Sequence, residues 1–447
     1  IAGKDGVDGA AGPEGPKGAD GINGEALGIP GEDGKPGEDG KPGEDGKPGE
    51  DGKPGEDGKP GARGPKGVTG ASGEDGSAGV AIVRNIPAGN VITTLNLNGL
   101  ESSITIGADG LALISYRYWN LANNDLKVAH CSNTACTSST TSTIDSDGDV
   151  GAQTSITIGA DGLGLISYYD FTNTALKVAH CENTACTSST TSTLDSTGSV
   201  GWSTSITIGA DGLGLISYYD FTNSALKVAH CENTACTSAT TSTLDSPDSG
   251  FSPYGMETSI TIGVDGLALI SYRDIDNYEL KVGHCQNIVC TSFTSIPGAA
   301  PLDQSGDEVG EESSITIGAD GLALISYRDK SNNRIKVAKC ADIFCSGGSV
   351  QAIFSTTTRY PSITIGADGL GLISHYDSGD LKVAHCQNIA CTSITTSTLT
   401  SDAEVIYTSI TIGTDGLPLI SYVDSNSVAL KLAHCENTFC APYFRRR

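Results

Sequence analysis

The sequence lacks the features of a membrane protein, of a nucleic-acid-binding protein and of several common enzyme classes. No apolar run approaches membrane-spanning length, so we predict no membrane span. Only 27 Lys and Arg face 53 Asp and Glu, and the formal charge of −26 disfavours nucleic acid and anionic membranes as partners. No Gly-x-Ser-x-Gly motif, phosphate-binding loop or helical zinc motif is present. We therefore expect a protein that is not an enzyme and uses no cofactor.

The first part of the chain differs in composition from the rest. Gly occupies every third position from Gly3 to Gly24 and again from Gly28 to Gly79. Within this region the hexapeptide Gly-Glu-Asp-Gly-Lys-Pro occurs five times without change over residues 31–60. Strict Gly-X-Y spacing predicts a collagen triple helix, because only Gly fits the crowded axis of three wound chains. We therefore predict a collagen-like stalk over residues 1–79 that makes the protein a homotrimer.

This Gly-X-Y region, with its repeated charged triplets, resembles the collagen-like stalks of bacterial and phage surface proteins. The resemblance covers residues 1–79 only. It implies a trimeric protein that is extracellular or attached to the cell surface. Ile1 already lies within the Gly-X-Y register, so we expect the chain to be a processed or truncated form.

Residues 80–447 are dominated by seven copies of one repeat. The stretch Ser-Ile-Thr-Ile-Gly-Ala-Asp-Gly-Leu, first found at residues 103–111, recurs with small changes every 47 to 55 residues. Each copy continues with Leu-x-Leu-Ile-Ser, then Leu-Lys-Val, Leu-Lys-Leu or, once, Ile-Lys-Val, and then a Cys-x4-Cys pair, which gives four strand signals per unit. Such a repeat is typical of a β-propeller. We therefore predict an all-β fold after the stalk, a seven-bladed β-propeller with four-stranded blades.

The seventh repeat has no clear fourth strand of its own. After Cys440 only seven residues remain, and the last three are Arg. The Ile-Thr-Thr-Leu sequence at residues 92–95 resembles the Thr-Ser-Thr-Leu sequence that ends an outer strand at residues 191–194. We predict that residues 80–100 form a linker and the missing outer strand, which closes the ring. The alternative, in which residues 442–447 complete the last blade, is less favoured.

All 14 cysteines fall in the seven Cys-x4-Cys pairs. Each pair brackets the turn between the third and fourth strands, where opposed residues lie at distances that a disulfide can bridge. Zinc is the alternative, but the His that precedes most pairs would point to the other face of the strand, and Lys339 replaces it once. We favour disulfides, which indicate a location outside the reducing cytosol. The predicted bonds are Cys131–Cys136, Cys181–Cys186, Cys231–Cys236, Cys285–Cys290, Cys340–Cys345, Cys386–Cys391 and Cys435–Cys440.

The Asp-Gly turn after each first strand has calcium binding as an alternative role. One carboxylate per turn supplies too few oxygen ligands for calcium, and Asp-Gly is the expected chemistry of a hairpin turn. We therefore predict structural turns and no metal site.

The two faces of the predicted disc differ in their loops. The first–second and third–fourth strand turns are nearly uniform, whereas the other connections vary, most at residues 246–257 and 297–312. The stalk should join the uniform face, because the ring-closing strand begins there. Varied loops can build one specific site, so we predict ligand binding on the varied face. The candidate ligand-binding residues are Trp119, Trp202, Tyr254, Asp274 and Asp329, for which packing or inter-blade hydrogen bonding is the alternative role.

Three functions fit these features. The first is adhesion, in which propeller heads bind a glycan or a surface protein and gain avidity from trimerisation. The second is a purely structural role in an extracellular filament, with further self-assembly into fibres. The least favoured is polysaccharide degradation. Sialidase-like propellers carry an Asp-box, Ser-x-Asp-x-Gly-x-Thr-Trp, whereas the corresponding turn here reads Ile-Gly-Ala-Asp-Gly.

We expect the full chain to be a trimer whose collagen-like region melts separately from the β domain. A single Gly-X-Y chain buries no apolar surface, so its order depends on association of three chains. Circular dichroism should give two thermal transitions, and light scattering should give a trimer mass. A chain lacking residues 1–79 should lose the collagen transition and the trimer mass, and a monomer with an ordered collagen region would contradict the prediction.

Overall fold

The computed structural model describes residues 89–441, except residues 122, 247–256, 275, 295–301, 304, 355–356 and 402–403. The chain divides into two units, residues 1–82 and 83–447, and the described residues belong to the second unit. Their strands form seven antiparallel four-stranded sheets. These sheets are the blades of a seven-bladed β-propeller, which confirms the predicted fold class. The described residues include no helix long and apolar enough to cross a membrane.

Six blades consist of four strands that follow one another in the chain, and the seventh borrows one strand. The strands are β1 (Val91–Leu97), β2 (Gly99–Ile106), β3 (Ala112–Tyr118), β4 (Asp125–Cys131), β5 (Ser139–Asp145), β6 (Ala152–Ile158), β7 (Gly164–Asp170), β8 (Ala175–Cys181), β9 (Ser189–Asp195), β10 (Val200–Ile208), β11 (Gly214–Asp220), β12 (Ala225–Cys231), β13 (Ala239–Asp245), β14 (Thr258–Ile262), β15 (Ala268–Asp274), β16 (Glu279–Cys285), β17 (Phe293–Thr294), β18 (Val309–Ile317), β19 (Ala323–Asp329), β20 (Arg334–Cys340), β21 (Gly348–Gln351), β22 (Thr358–Ile365), β23 (Gly371–Asp377), β24 (Asp380–Cys386), β25 (Ile394–Thr400), β26 (Val405–Ile412), β27 (Pro418–Asp424) and β28 (Ala429–His434). Blades 1 to 6 are β2–β5, β6–β9, β10–β13, β14–β17, β18–β21 and β22–β25, and blade 7 is β26–β28 with β1 at its edge.

The second strand of each blade lies at the centre of the hydrophobic packing. Every residue of β7 and of β11 is buried, as expected for a strand covered on both faces. The buried apolar residues form seven clusters, and each cluster joins neighbouring blades. Ile114 and Tyr116 of blade 1, for example, pack against Leu419, Leu430 and Leu432 of blade 7. Burial between blades therefore holds the ring together, because no sheet extends from one blade into the next.

Blade 7 obtains its outer strand from the beginning of the described chain. Strand β1 pairs antiparallel with β28, and Ile92 lies opposite Ala433. In blade 2, Thr191 of the outer strand lies opposite Ala179 in the same way. The segment in which the sequence predicts a ring-closing strand therefore occupies the outer-strand position, in the register that the sequence similarity implies.

The turn between the first and second strands and the turn between the third and fourth strands lie on the same side of the propeller in each blade. In blade 1, Nε2 of His130, near the end of the third strand, is 2.8 Å from Oδ2 of Asp109 in the first turn. Blade 5 has Lys339 Nζ at 2.6 Å from Asp320 Oδ1 instead. We call this side, which carries the disulfide hairpins, the disulfide face, and the opposite side the loop face. The pairs in the other five blades are His180–Asp161, His230–Asp211, His284–Asp265, His385–Asp368 and His434–Asp415, at 2.6 to 2.8 Å.

The Asp of the first turn is occupied by its own blade. Besides the contact with His130, Asp109 accepts the backbone N–H of Leu111 through Oδ1 at 3.0 Å. Gly110 follows with a φ of 80°, a left-handed conformation that favours Gly. The Asp therefore shapes the turn and ties it to the third strand. In the part of the chain that the structure describes, no group of three or more His, Cys, Asp or Glu could hold a metal ion.

All seven predicted disulfides are present and local. Their Cα atoms are 4.8 to 5.0 Å apart. The second Cys of each pair has a positive φ between 49° and 54°, which is uncommon for a residue with a side chain. In the first hairpin Asn133 accepts the N–H of Cys136 through its carbonyl and the N–H of Thr137 through its side chain. Each disulfide therefore closes a turn that an Asn, or Asp342 in blade 5, also supports.

A closed ring of hydrogen bonds joins the first strands of all seven blades. In each blade the Ser of Ser-Ile-Thr-Ile accepts a backbone N–H from the next blade, as Ser103 Oγ does from Ile156 at 3.2 Å. Ser409 Oγ of blade 7 accepts the N–H of Ile104 at 3.3 Å and closes the circle. The five intervening bonds run from Ile206, Ile260, Ile315, Ile363 and Ile410 to Ser155, Ser205, Ser259, Ser314 and Ser362, each at 3.2 Å.

A second ring of hydroxyl pairs is broken at one place. The buried Ser of Leu-Ile-Ser meets a Thr or Ser hydroxyl of the neighbouring blade at six interfaces, as Ser115 Oγ meets Thr154 Oγ1 at 2.9 Å. At the interface of blades 5 and 6 the corresponding residue is Pro361. Ser326 Oγ is consequently buried there without a hydrogen-bond partner. The other five pairs are Thr204–Ser167, Ser217–Thr258, Ser271–Ser313, Ser374–Thr408 and Ser102–Ser421, at 2.7 to 3.0 Å.

We expect Pro361→Thr to complete this second ring and stabilise the propeller. The new hydroxyl provides Ser326 with a partner, and a neutral hydrogen bond contributes about 1 kcal/mol. Pro361→Ala is the matched control, because it changes the backbone in the same way without adding a hydroxyl. Urea denaturation should give Pro361→Thr a free energy of unfolding about 1 kcal/mol above that of Pro361→Ala. Equal stability of the two variants would contradict this account. So would a stability difference between them that stays the same after Ser326→Ala is added to both.

Candidate functional site on the loop face

Trp119 lies at the seam between blades 7 and 1. Its side chain is exposed, and its backbone N–H donates to the carbonyl of Asn98 at 2.7 Å. With Tyr118, Asn120 and Leu121 it lines a cavity of about 360 Å³. Among the predicted ligand-binding residues that the structure describes, Trp119 is the one with an exposed aromatic ring.

Trp202 is half-buried within an aromatic cluster between blades 2 and 3. Its ring centroid is 4.7 Å from that of Tyr169, 5.3 Å from that of Phe171 and 5.9 Å from that of Phe221. Its Nε1–H donates to Ser199 Oγ at 3.1 Å. These contacts fit the alternative role from the sequence, which is packing between neighbouring blades.

Asp274 and Asp329 are buried and paired with cations of their own blades. Asp274 Oδ2 is 2.7 Å from Lys281 Nζ, and Asp329 Oδ2 is 3.3 Å from Lys336 Nζ. Burial by itself raises the pKa of Asp274, but hydrogen bonds from Lys281 and Asn277 lower it below its usual range. Strand pairing causes this arrangement, because it brings the lysine of the third strand beside the end of the second. Tyr254 lies outside the described residues, and the other four predicted residues belong to four different blades.

At the loop face, the mouth of the central channel is lined by one side chain from each blade. These residues line a cavity of about 460 Å³ together with neighbouring Thr and Ser residues. In six of the seven the φ angle lies between 43° and 54°, and these six lie where the pairing of the first strand shifts register. The seven are Glu101, Gln153, Ser203, Glu257, Glu312, Tyr360 and Tyr407.

The three Glu residues among these seven each accept a backbone N–H from the next blade. Glu101 Oε2 accepts the backbone N–H of Gln153 at 2.7 Å, and Glu312 Oε2 accepts that of Tyr360 at 2.6 Å. Glu257 likewise accepts the N–H of Glu312. Burial, with the nearby carboxylates of Glu312 and Glu311, raises the pKa of Glu257 to about 8. A group with this pKa is largely protonated below neutral pH.

We expect Glu257 to make the propeller less stable as the pH rises. A folded-state pKa of about 8 lies above the ordinary value of 4.5, so the stabilisation from the bound proton is complete below pH 4.5 and is lost as the pH rises through 8. Glu257→Gln should therefore show a smaller loss of unfolding free energy between pH 5 and pH 8. Glu182→Gln, at an exposed position on the disulfide face, is the control. Parallel curves for wild type and Glu257→Gln would refute the prediction.

A third cavity lies between blades 6 and 7 on the loop face. Its volume is about 340 Å³, and its lining includes Arg359, Tyr360, Tyr376, Glu404 and Ser425. It combines a guanidinium, a carboxylate, hydroxyls and tyrosine rings, which is the mixture of apolar and convergent polar groups expected of a ligand site.

None of the four predicted ligand-binding residues within the described part of the chain lines this cavity. Those predictions rest on residue types that are frequent in ligand sites, such as Trp and Asp, considered within single repeats. The signal in the sequence is a smaller side chain at one repeat position: blade 3 has Trp202 there, and blade 7 has Ile406. A position-by-position comparison of the seven repeats would have found it.

Comparison with known proteins separates the two parts of the chain. Residues 26–81 match the family model described as collagen triple helix repeat (20 copies). This N-terminal region is collagen-like. No curated protein sequence matches the chain.

The propeller is similar in fold to several solved structures. A protein of unknown function from Dyadobacter fermentans is 11% identical with a TM-score of 0.50, over 78% of this chain and 97% of that one. Virginiamycin B lyase from Staphylococcus aureus is 16% identical with a TM-score of 0.50, over 77% and 98%. A polysaccharide lyase, described as an ulvan lyase bound to a GlcA(1-4)Rha3S saccharide, is 10% identical with a TM-score of 0.53, over 77% and 95%. At these identities the likeness concerns the fold alone.

Proposed function

We propose that the protein is an extracellular homotrimer in which the collagen-like region joins three chains and each chain carries a propeller head. The heads act in adhesion, or as part of a surface fibre, by binding a glycan or a surface protein. The observation that carries this proposal is the union in one chain of a collagen repeat, which associates as three strands, with a propeller. The seven disulfides support a location outside the reducing cytosol.

The loop face is the proposed binding face. On the disulfide face the turn Asp is occupied by the third strand in every blade, and each hairpin is closed by a disulfide. The loop face instead carries three cavities that differ in their lining. A glycan is the first ligand class to test, because the ulvan lyase of similar fold is described as bound to a saccharide.

The proposal describes a binding protein and not an enzyme. Catalysis by paired carboxyl groups requires two that are free to exchange protons with a substrate. The buried Asp274 and Asp329 are held in ion pairs, and Glu101 and Glu312 accept backbone N–H groups. These ion pairs and hydrogen bonds favour a structural role for the acidic groups of the loop face.

Association of three heads compensates for weak individual sites. Tethering converts later binding events into intramolecular ones, which raises avidity by roughly 10²–10⁴ without any new contact. A shallow, polar cavity on each head is therefore sufficient for adhesion to a surface that presents many copies of the ligand.

We expect the full chain to bind a glycan array more tightly than a chain lacking residues 1–79. Both should recognise the same glycans, because the site lies in the propeller, but the full chain should dissociate at least 10-fold more slowly. Surface-immobilised glycans at high and low density provide the control, since the difference should vanish at low density. Binding of neither glycans nor surface proteins, together with filaments in electron micrographs, would favour the purely structural alternative.

A further inference from the structure

The repeated blades provide an internal comparison for the cavity between blades 6 and 7. Trp202 lies opposite Tyr219 in the pairing of the first and second strands of blade 3. Ile406 lies opposite Val423 at the same place in blade 7. The two residues therefore occupy equivalent positions at equivalent interfaces, and Ile406 lacks the large ring that Trp202 inserts between blades.

The neighbouring positions lose bulk as well. Phe171 and Phe221 follow the Asp that ends the second strand in blades 2 and 3, and both pack against Trp202. In blades 6 and 7 the residues after this Asp are Ser378 and Ser425. An aromatic plug therefore closes the loop-face end of the interface between blades 2 and 3. Its absence accounts for the cavity of about 340 Å³ between blades 6 and 7, a volume within the range of small-ligand sites.

The same cavity gains a cation. Arg359 lies opposite Tyr376 in blade 6, where blade 2 has Ala152 opposite Tyr169. Arg359 is half-buried and lines the cavity. Its Nε–H donates to Asn333 Oδ1 at 3.4 Å.

Arg359 differs from the other arginines in the described part of the chain. Arg117, Arg273 and Arg328 have carboxylate oxygens at 2.8, 2.7 and 3.1 Å from a guanidinium nitrogen, and Arg334 has one at 3.1 Å. Within residues 89–441 as described, no carboxylate forms such an ion pair with Arg359. A half-buried guanidinium that faces an open cavity, with no carboxylate of the described residues within ion-pair distance, fits an anionic ligand.

We propose that the cavity between blades 6 and 7 binds an acidic sugar of a glycan, with its carboxylate or sulfate group on Arg359. This inference rests on the proposed glycan binding and specifies its site and ligand class. The guanidinium can donate two parallel hydrogen bonds to such an anion. Tyr360 and Tyr376 supply apolar ring surface, while Asn333, Glu404 and Ser425 supply partners for sugar hydroxyls.

Two substitutions taken from the protein's own blades test the site. Ile406→Trp rebuilds the plug of blade 3, and Arg359→Ala restores the residue of blade 2, so both side chains are already accommodated at equivalent positions. The probe is an array of uronate-bearing and sulfate-bearing oligosaccharides with neutral counterparts, applied to the full-length trimer. Lys330→Ala is the control, because it removes one positive charge from the loop face outside the cavity. Thermal melting of each variant verifies that the propeller is folded.

We expect the wild type to prefer one acidic class over its neutral counterpart by at least 10-fold. Arg359→Ala should lose this preference, Ile406→Trp should lose binding altogether, and Lys330→Ala should behave as the wild type. The uronate and sulfate arms then identify the anionic group. Binding of neutral glycans only, or acidic binding that survives both substitutions, would overturn this inference but leave the proposed glycan binding intact. Absence of glycan binding by the trimer would overturn both.

Discussion

The hydrogen bond that each inner Ser accepts from the next blade is the contact that sets the height at which neighbouring blades meet. The seven sheets are separate, so their backbone ladders do not connect one blade to another. The bonds from Ile156 to Ser103 and from Ile104 to Ser409 belong to a circle that returns to its starting blade. Because one blade's Ser fixes the next blade's Ile, each blade must present the same short segment at the same height. This requirement explains why Ser-Ile-Thr-Ile recurs in all seven repeats.

The constraint on the sequence weakens only on the loop-face side of this ring. Towards the disulfide face the turns remain uniform, because the turn Asp holds the His or Lys of the third strand. Towards the loop face the strands shift register, and the residue that enters the channel differs from blade to blade. Large aromatic residues fill one inter-blade gap and small ones leave another open. A symmetric scaffold thereby acquires an asymmetric face without any change in its inner contacts.

The sequence predicted most of the fold and little of the candidate site. Periodic strands, paired cysteines and a borrowed outer strand are local patterns, and each has one compatible arrangement in a closed ring. The roles of Asp274 and Trp202 depend on which side chains strand pairing brings beside them, namely Lys281 and Tyr169. A single repeat does not contain that information. Ser326 and Pro361 illustrate the same point. Neither residue alone predicts a defect, but Pro361 faces Ser326 across an interface and leaves its hydroxyl without a hydrogen-bond partner.

The borrowed strand β1 has a mechanical consequence. It enters at the disulfide face, where Gly89 donates its N–H to Glu436 at 2.9 Å, and it then runs along β28. A pull on Gly89 along the axis of β1 loads its ladder of hydrogen bonds with β28 in parallel. Ladders loaded in this way resist force better than ladders opened one bond at a time, because several bonds must break together. The seam that closes the ring is thus also the part of the propeller that a pull along β1 strains first.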